Sequence, residues 1–202
     1  MPFVDKNKPL IRIANRQSGF TLVELMITLV VAALVMGIAV PNLRTFIQNS
    51  RITTQGNGIL TDLAMARSEA IKRNAPIVVC PSAAPTVAAP TCSAGSWERG
   101  WLVFEDAVDP VTKKGNDTFA AAEGDNLLRI HEPLEGNNTL RANGAELVNF
   151  VTFGPSGVTT LVNDDFLKLC DARGAPFGRA ILIYATGRAR VAHPSQIVFS
   201  CP

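Results

Sequence analysis

GFTLVELMITLVVAALVMGIAV, residues 19–40, joins a six-residue junction with one acid, Glu24, to sixteen residues that carry no charge. Before it stand Lys6, Lys8, Arg12 and Arg16 against a single acid, Asp5, which is the charge layout of a membrane-directed segment. An ordinary secretory signal places its small-residue cleavage site after the apolar stretch. Here the small residue, Gly19, comes first and no A-x-A site follows before Pro41, so the apolar stretch is expected to survive processing. Residues 20–40 are about as long as a helix needs to be to cross a bilayer core. A carboxylate near the end of such a helix is costly, so Glu24 points to a specific partner.

GFTLVE followed by Pro41 resembles the class III signal of type IV pilins and type II secretion pseudopilins. The resemblance implies that a prepilin peptidase cuts between Gly19 and Phe20 and that the new amine of Phe20 is methylated. It implies that Glu24 pairs with that amine on a neighbouring subunit, two opposite charges that compensate each other in low dielectric. The expected partners are therefore other major and minor pilins, the peptidase and, before assembly, the inner membrane, with a single pass and a periplasmic head that ends in an extracellular filament. The expected divisions are a cleaved leader (1–19), a transmembrane and filament-core helix (20–40), its amphipathic continuation (41–74) and a head (75–202).

A chain of 202 residues, less a leader and a membrane helix, leaves one modest globular domain. The formal charge of +2 misleads, because the leader alone carries +3 and the remainder is near −1. Residues 101–165 hold eleven acids against four bases, whereas residues 166–202 hold five bases, Lys168, Arg173, Arg179, Arg188 and Arg190, against Asp171. Basic character is gathered at the C-terminus. Cys80, Cys92, Cys170 and Cys201 lie in the part sent across the membrane, where disulfides persist. Three connectivities are open. Cys80–Cys92 with Cys170–Cys201 is favoured, since the first closes a short Pro/Ala/Thr loop and the second ties down the chain end. The spacing fits no zinc site, and His131 and His193 fall in no ligand pattern; neither a metal nor a cofactor is expected.

Apolar positions at helical spacing continue past Pro41 through Leu43, Phe46, Ile47, Ile59, Leu60, Leu63, Ala66, Ala70 and Ile71, so Pro41 should bend or loosen the helix without ending it. Gly56 and Gly58 weaken its middle, and Asn74 with Pro76 stops it near Lys72 or Arg73. Short β-like runs follow at residues 77–80, 101–104, 127–130, 147–153, 166–170, 180–184 and 188–192. The expected fold is α+β: a long N-terminal helix packed on a C-terminal, antiparallel β-rich head, soluble from about Arg51 onward. Ala185, Thr186 and Gly187 form a hairpin turn between the last two strands. The loops at residues 82–96 and 108–125 are long, and the second is expected to be mobile. Trp97 and Trp101 are read as packing residues.

No nucleophile elbow, P-loop, HExxH or glycine fingerprint occurs, so no catalytic site is expected. The segment with chemistry is Gly187-Arg188-Ala189-Arg190. Read as the start of a strand, it sets Arg188 and Arg190 on one face about 6.6 Å apart, where two guanidinium forks could hold successive phosphates of a nucleic acid. Arg179 would open the partner strand and Arg173 would lie in a nearby loop, completing a small basic patch. Arginines on an edge strand also protect it from aggregation.

The stretch Leu169-Cys170-Asp171-Ala172-Arg173-Gly174, followed by Gly178-Arg179-Ala180, GRAR and Cys201, resembles the C-terminal region of minor pilins of the GspH/FimT family, and Phe153, Gly154, Pro155 and Gly157 suit its β domain. The resemblance implies a type IV pilin fold. It also implies that a GRxR motif, here Gly187, Arg188 and Arg190, captures DNA without sequence preference during natural transformation. The competing expectation is a structural minor pilin or type II secretion pseudopilin that primes filament assembly without binding DNA.

Overall fold

The computed structural model describes residues 19–107 and 115–201. The expected leader up to Ser18 and part of the 108–125 loop lie outside the described residues, as does the mobility expected of that part. Helix α1 runs from Leu22 to Arg73 without a break at Pro41. Thr21 caps its start, its Oγ1 accepting the backbone N–H of Glu24 at 3.2 Å, and Glu24 in the first turn complements the helix dipole. At the other end Asn74 takes φ 54° and the Ala75 N–H donates to Ala70 O at 3.3 Å, which is a Schellman stop with Asn in the left-handed position.

The chain divides into two units, residues 1–44 and 45–202. Within the first, the described part is one helical stretch whose apolar side chains, Leu25 and Leu34 among them, are exposed. An 18-residue window of mean hydropathy 2.6 makes α1 apolar and long enough to cross a membrane. Among its described residues the second unit holds two four-stranded antiparallel sheets. The first has the order β3 (Asn126–His131), β2 (Trp101–Glu105), β1 (Ile77–Pro81), β5 (Val151–Phe153). The second runs β4 (Thr139–Ala142), β6 (Asp165–Cys170), β7 (Arg179–Ile183), β8 (Ala189–Ala192).

One buried cluster joins Ile59, Leu63 and Ala66 of α1 to Val79, Val103 and Phe153 of the first sheet and to Leu167, Leu169 and Ile181 of the second. Each fully buried aliphatic side chain contributes about 1.5–3 kcal/mol, and this core lies wholly within residues 45–202. That unit therefore carries what it needs to fold alone. Its helical stripe is Ile52, Gly56, Ile59, Leu63, Ala66 and Ala70, with steps of three and four. Phe46, Ile47 and Ile71, expected on that stripe, are exposed instead, because they fall off the row that faces the sheets. Gly56 and Gly58 acquire a packing reason: a Cβ at Gly56 would lie 3.6 Å from Leu169, and one at Gly58 would lie 3.2 Å from the His131 ring.

Two strands differ from expectation. Residues 147–153 are not one run: Glu146–Val148 is a 3-10 turn whose Leu147 carbonyl accepts the Trp97 indole N–H at 2.8 Å, and only Val151–Phe153 pairs. β4 was not foreseen, since its four residues TLRA sit between Asn-rich turns and offer only Leu140 as a buried position. The structure has the disulfides Cys80–Cys92 and Cys170–Cys201. The first closes the 82–96 loop, which Ser82 also holds by donating its hydroxyl to Thr91 O at 2.7 Å. The second ties the chain end to β6.

Candidate nucleic-acid interface

β7 and β8 pair antiparallel with Leu182 opposite Arg190 and Ile183 opposite Ala189. Beyond them the Gly187 N–H donates to Tyr184 O and the Tyr184 N–H donates to Arg188 O, each at 2.8 Å. The loop Ala185-Thr186-Gly187 is thus a three-residue hairpin connection in which Gly187, at φ 79°, supplies the left-handed residue of a bulge. Both Gly187 and Arg188 stand opposite Tyr184, so the strand begins at Ala189 and Arg188 belongs to the turn. This corrects the expected strand start at Arg188. Arg188 borders a cleft against α1.

Ile181 and Ile183 enter the core, so Leu182 and its partner Arg190 occupy the outer face of the second sheet. There Arg190 Nε donates to the hydroxyl of Tyr184 at 2.8 Å, the only tyrosine of the chain, and among the described residues the guanidinium meets no carboxylate. Arg188 is exposed, and its side chain makes no hydrogen bond or ion pair with the described residues. Lys168, opposite Ala180 in β6, shares the outer face and is likewise unpaired. The two-residue period of Phe166-Leu167-Lys168-Leu169 is the sequence signal that places Lys168 on this face.

Arg179 and Arg173 do not join this patch. Arg179 opens β7, five residues from Tyr184, which is about 16 Å along the strand from the turn, and its odd position faces it opposite to Arg190. Its Nη1 donates to the carbonyls of Phe177 and Gly178 at 3.1 and 2.8 Å. Burial, and then repulsion from Arg173, lower its pKa. Arg173 is tied to Asp171 through Nε at 2.8 Å and Nη2 at 2.6 Å, reaches Asn49 of α1 at 2.8 Å through Nη1, and lies over the Phe177 ring. An arginine with its charge answered by a carboxylate and its fork filled has little left for a phosphate. The cause is local: Asp171 sits two residues before Arg173 in a tight turn.

The turn is held from below by close approach. A Cβ on Gly187 would fall 1.9 Å from Gly157 O, and one on Gly157, itself at φ 78°, would fall 2.8 Å from Ile71 of α1. Arg67 of α1 donates Nε to Gly157 O at 2.9 Å and Nη2 to Thr186 O at 3.3 Å. Gly187→Ala is expected to lower the urea midpoint of residues 45–202 by more than Gly95→Ala does. Both sites have positive φ, which costs a side chain about 1–2 kcal/mol, but Gly95 has open space around it. Equal midpoints for the two variants would mean that the turn can lift off Gly157 freely.

Among known families, the one described as Type II transport protein GspH matches residues 55–187, and the prokaryotic N-terminal methylation motif matches residues 14–40. The fold is similar to crystal structures of the type IV minor pilin FimU of Pseudomonas aeruginosa strain PAO1. In space group P21 the identity is 18% and the TM-score 0.54, covering 78% of this chain and 99% of that one. In space group P65 the values are 17% and 0.52, with 74% and 99% covered. The minor pseudopilin EpsH of the Vibrio cholerae Type 2 Secretion System is also similar, at 12% identity and TM-score 0.46, over 71% of this chain and 98% of that one. No curated protein sequence matches the chain significantly. The architecture is that of a type IV pilin: one long N-terminal helix packed on antiparallel sheets.

Proposed function

Because the chain belongs to the GspH family and carries the N-terminal methylation motif, making it a minor pilin or pseudopilin, we propose that it displays a DNA-binding turn on a type IV pilus and captures extracellular DNA for natural transformation. The observation that carries this reading is Arg188, exposed at the tip of the β7–β8 hairpin with no side-chain partner among the described residues, beside Arg190, whose side chain meets only a neutral hydroxyl among them. Two guanidinium forks without countercharge suit phosphate oxygens. Contacts to phosphate carry no sequence information, so binding is non-specific. In this proposal Arg188 and Arg190 hold phosphates and Gly187 shapes the turn, while Arg179 and Arg173 support the fold of the neighbouring loop.

The rest of the reading follows the N-terminal motif. Residues 1–19 are removed by a prepilin peptidase, Phe20 is methylated, and residues 20–40 anchor the chain in the inner membrane until Glu24 pairs with a neighbouring pilin's amine. Titrating residues 45–202 into labelled duplex DNA at several salt concentrations tests the DNA-binding step. Two phosphate contacts predict a log–log salt slope of about −2. A head that leaves duplex DNA unbound at low salt favours the second reading, a structural minor pilin or type II secretion pseudopilin, for which the GspH match is the specific support.

A further inference from the structure

We propose that the phosphate site does not end at the turn but continues onto α1, with Arg67 as a third guanidinium and the cleft beside it as the path of the DNA backbone. The inference rests on the DNA-binding reading of the turn. A cleft of about 430 Å³ runs between the turn and the Leu60, Ala64, Arg67, Ser68 and Ile71 side of α1, with Arg188 on the opposite bank. Positions 60, 64, 67, 68 and 71 recur at helical spacing and so form one continuous wall.

The charges in this cleft are of one sign. Arg67 and Arg188 both line it, and among the described residues no carboxylate does. Glu69, the next acid along α1, is paired with Lys72 and Arg73, and Asp164, which accepts the Ala185 N–H at 2.9 Å, does not line the cleft. Two cations facing one cleft without a counterion repel each other and focus a positive field into it. An anion relieves that cost. Arg67 is also already in position, because its Nε and Nη2 bonds to Gly157 O and Thr186 O fix the guanidinium and leave Nη1 for a ligand. A side chain ordered beforehand loses less entropy on binding. The wall is otherwise small and smooth, Ala64 and Ser68 being exposed, so a phosphodiester chain can lie against it.

Arg67→Gln would also release the turn, so the decisive variants leave Arg67 alone. Ser68→Glu puts a carboxylate on the cleft wall, Ala64→Lys adds a cation there, and Val87→Glu, at an exposed site in the 82–96 loop, controls for net charge. With residues 45–202 and a labelled duplex, Ser68→Glu is expected to weaken binding about fivefold, the effect of one charge near 4 Å in water. Ala64→Lys is expected to strengthen binding and steepen the salt slope by about 0.9. Val87→Glu should match wild type. If Ser68→Glu and Ala64→Lys bind as wild type does while the wild type binds DNA, the cleft is not part of the site and the turn alone remains. If the wild type binds no DNA, the reading of the turn itself falls. If Val87→Glu weakens binding as much as Ser68→Glu, the effect is one of total charge and the cleft is again excluded.

Discussion

Asp62→Ala is expected to destabilise residues 45–202 by about 2–4 kcal/mol, the combined scale of a lost buried partner and an orphaned donor. Asp62 lies inside α1 and is fully buried. The Trp101 indole N–H donates to its Oδ2 at 2.9 Å, His131 Nδ1 lies 2.9 Å from the same oxygen, and Arg129 Nε lies 3.0 Å from Oδ1. One carboxylate thus fastens the helix to β2 and β3, and the His131 ring stacks on Trp101 at 3.8 Å. Alanine would leave a buried indole N–H without an acceptor, whereas Arg129 and His131 are partly exposed and can turn to water. For a domain of this size each kcal/mol moves the midpoint by about 2–4 °C, so thermal unfolding followed by circular dichroism should show a fall of roughly 5–15 °C. Asp62→Asn, which keeps an acceptor, should lose less. An alanine variant that melts with the wild type would mean that the helix is held by its apolar stripe alone.

Asp62 also marks the limit of what is legible in the sequence. The helix, its stop at Asn74, most strands and the last hairpin were legible because each depends on local signals: period, turn residues and positive φ. A buried acid on a helix looks, in sequence, like any solvated acid. Its role depends on Trp101 and His131, which lie 39 and 69 positions away. The same limit governs the candidate site. The turn glycine was legible as a conformational need, but its approach to Gly157 was not, since two loops 30 residues apart in sequence meet only in the fold. Charge counting grouped Arg173 and Arg179 with Arg188 and Arg190. It could not see that Asp171 neutralises the first or that β7 carries the second to the far end of the hairpin. β4 was missed because it is a strand by pairing with β6 more than by its own four residues.

Replacing both Arg188 and Arg190 with glutamine is expected to remove most of the affinity of residues 45–202 for duplex DNA while leaving the fold intact. Neither side chain enters the core: that of Arg188 makes no bond with the described residues, and that of Arg190 gives one bond to Tyr184 Oη that glutamine can replace in kind. Two charges near phosphates are each worth about 1 kcal/mol in water, so the loss at low salt should be roughly thirtyfold. The matched variant, Arg173→Gln with Arg179→Gln, removes the same formal charge from the same C-terminal segment. It should cost stability, because the Asp171 carboxylate, with only 4% of its side chain exposed, loses its partner, yet it should keep most of the DNA binding. The comparison separates a site from a charge. If the two double variants lose affinity equally, binding follows net charge and the turn has no special place in it. If the Arg173/Arg179 pair loses more, the interface lies at the other end of the hairpin. Loss confined to the Arg188/Arg190 pair, with an unchanged melting midpoint, would locate the contact at the turn that Gly187 and Gly157 bring against the helix.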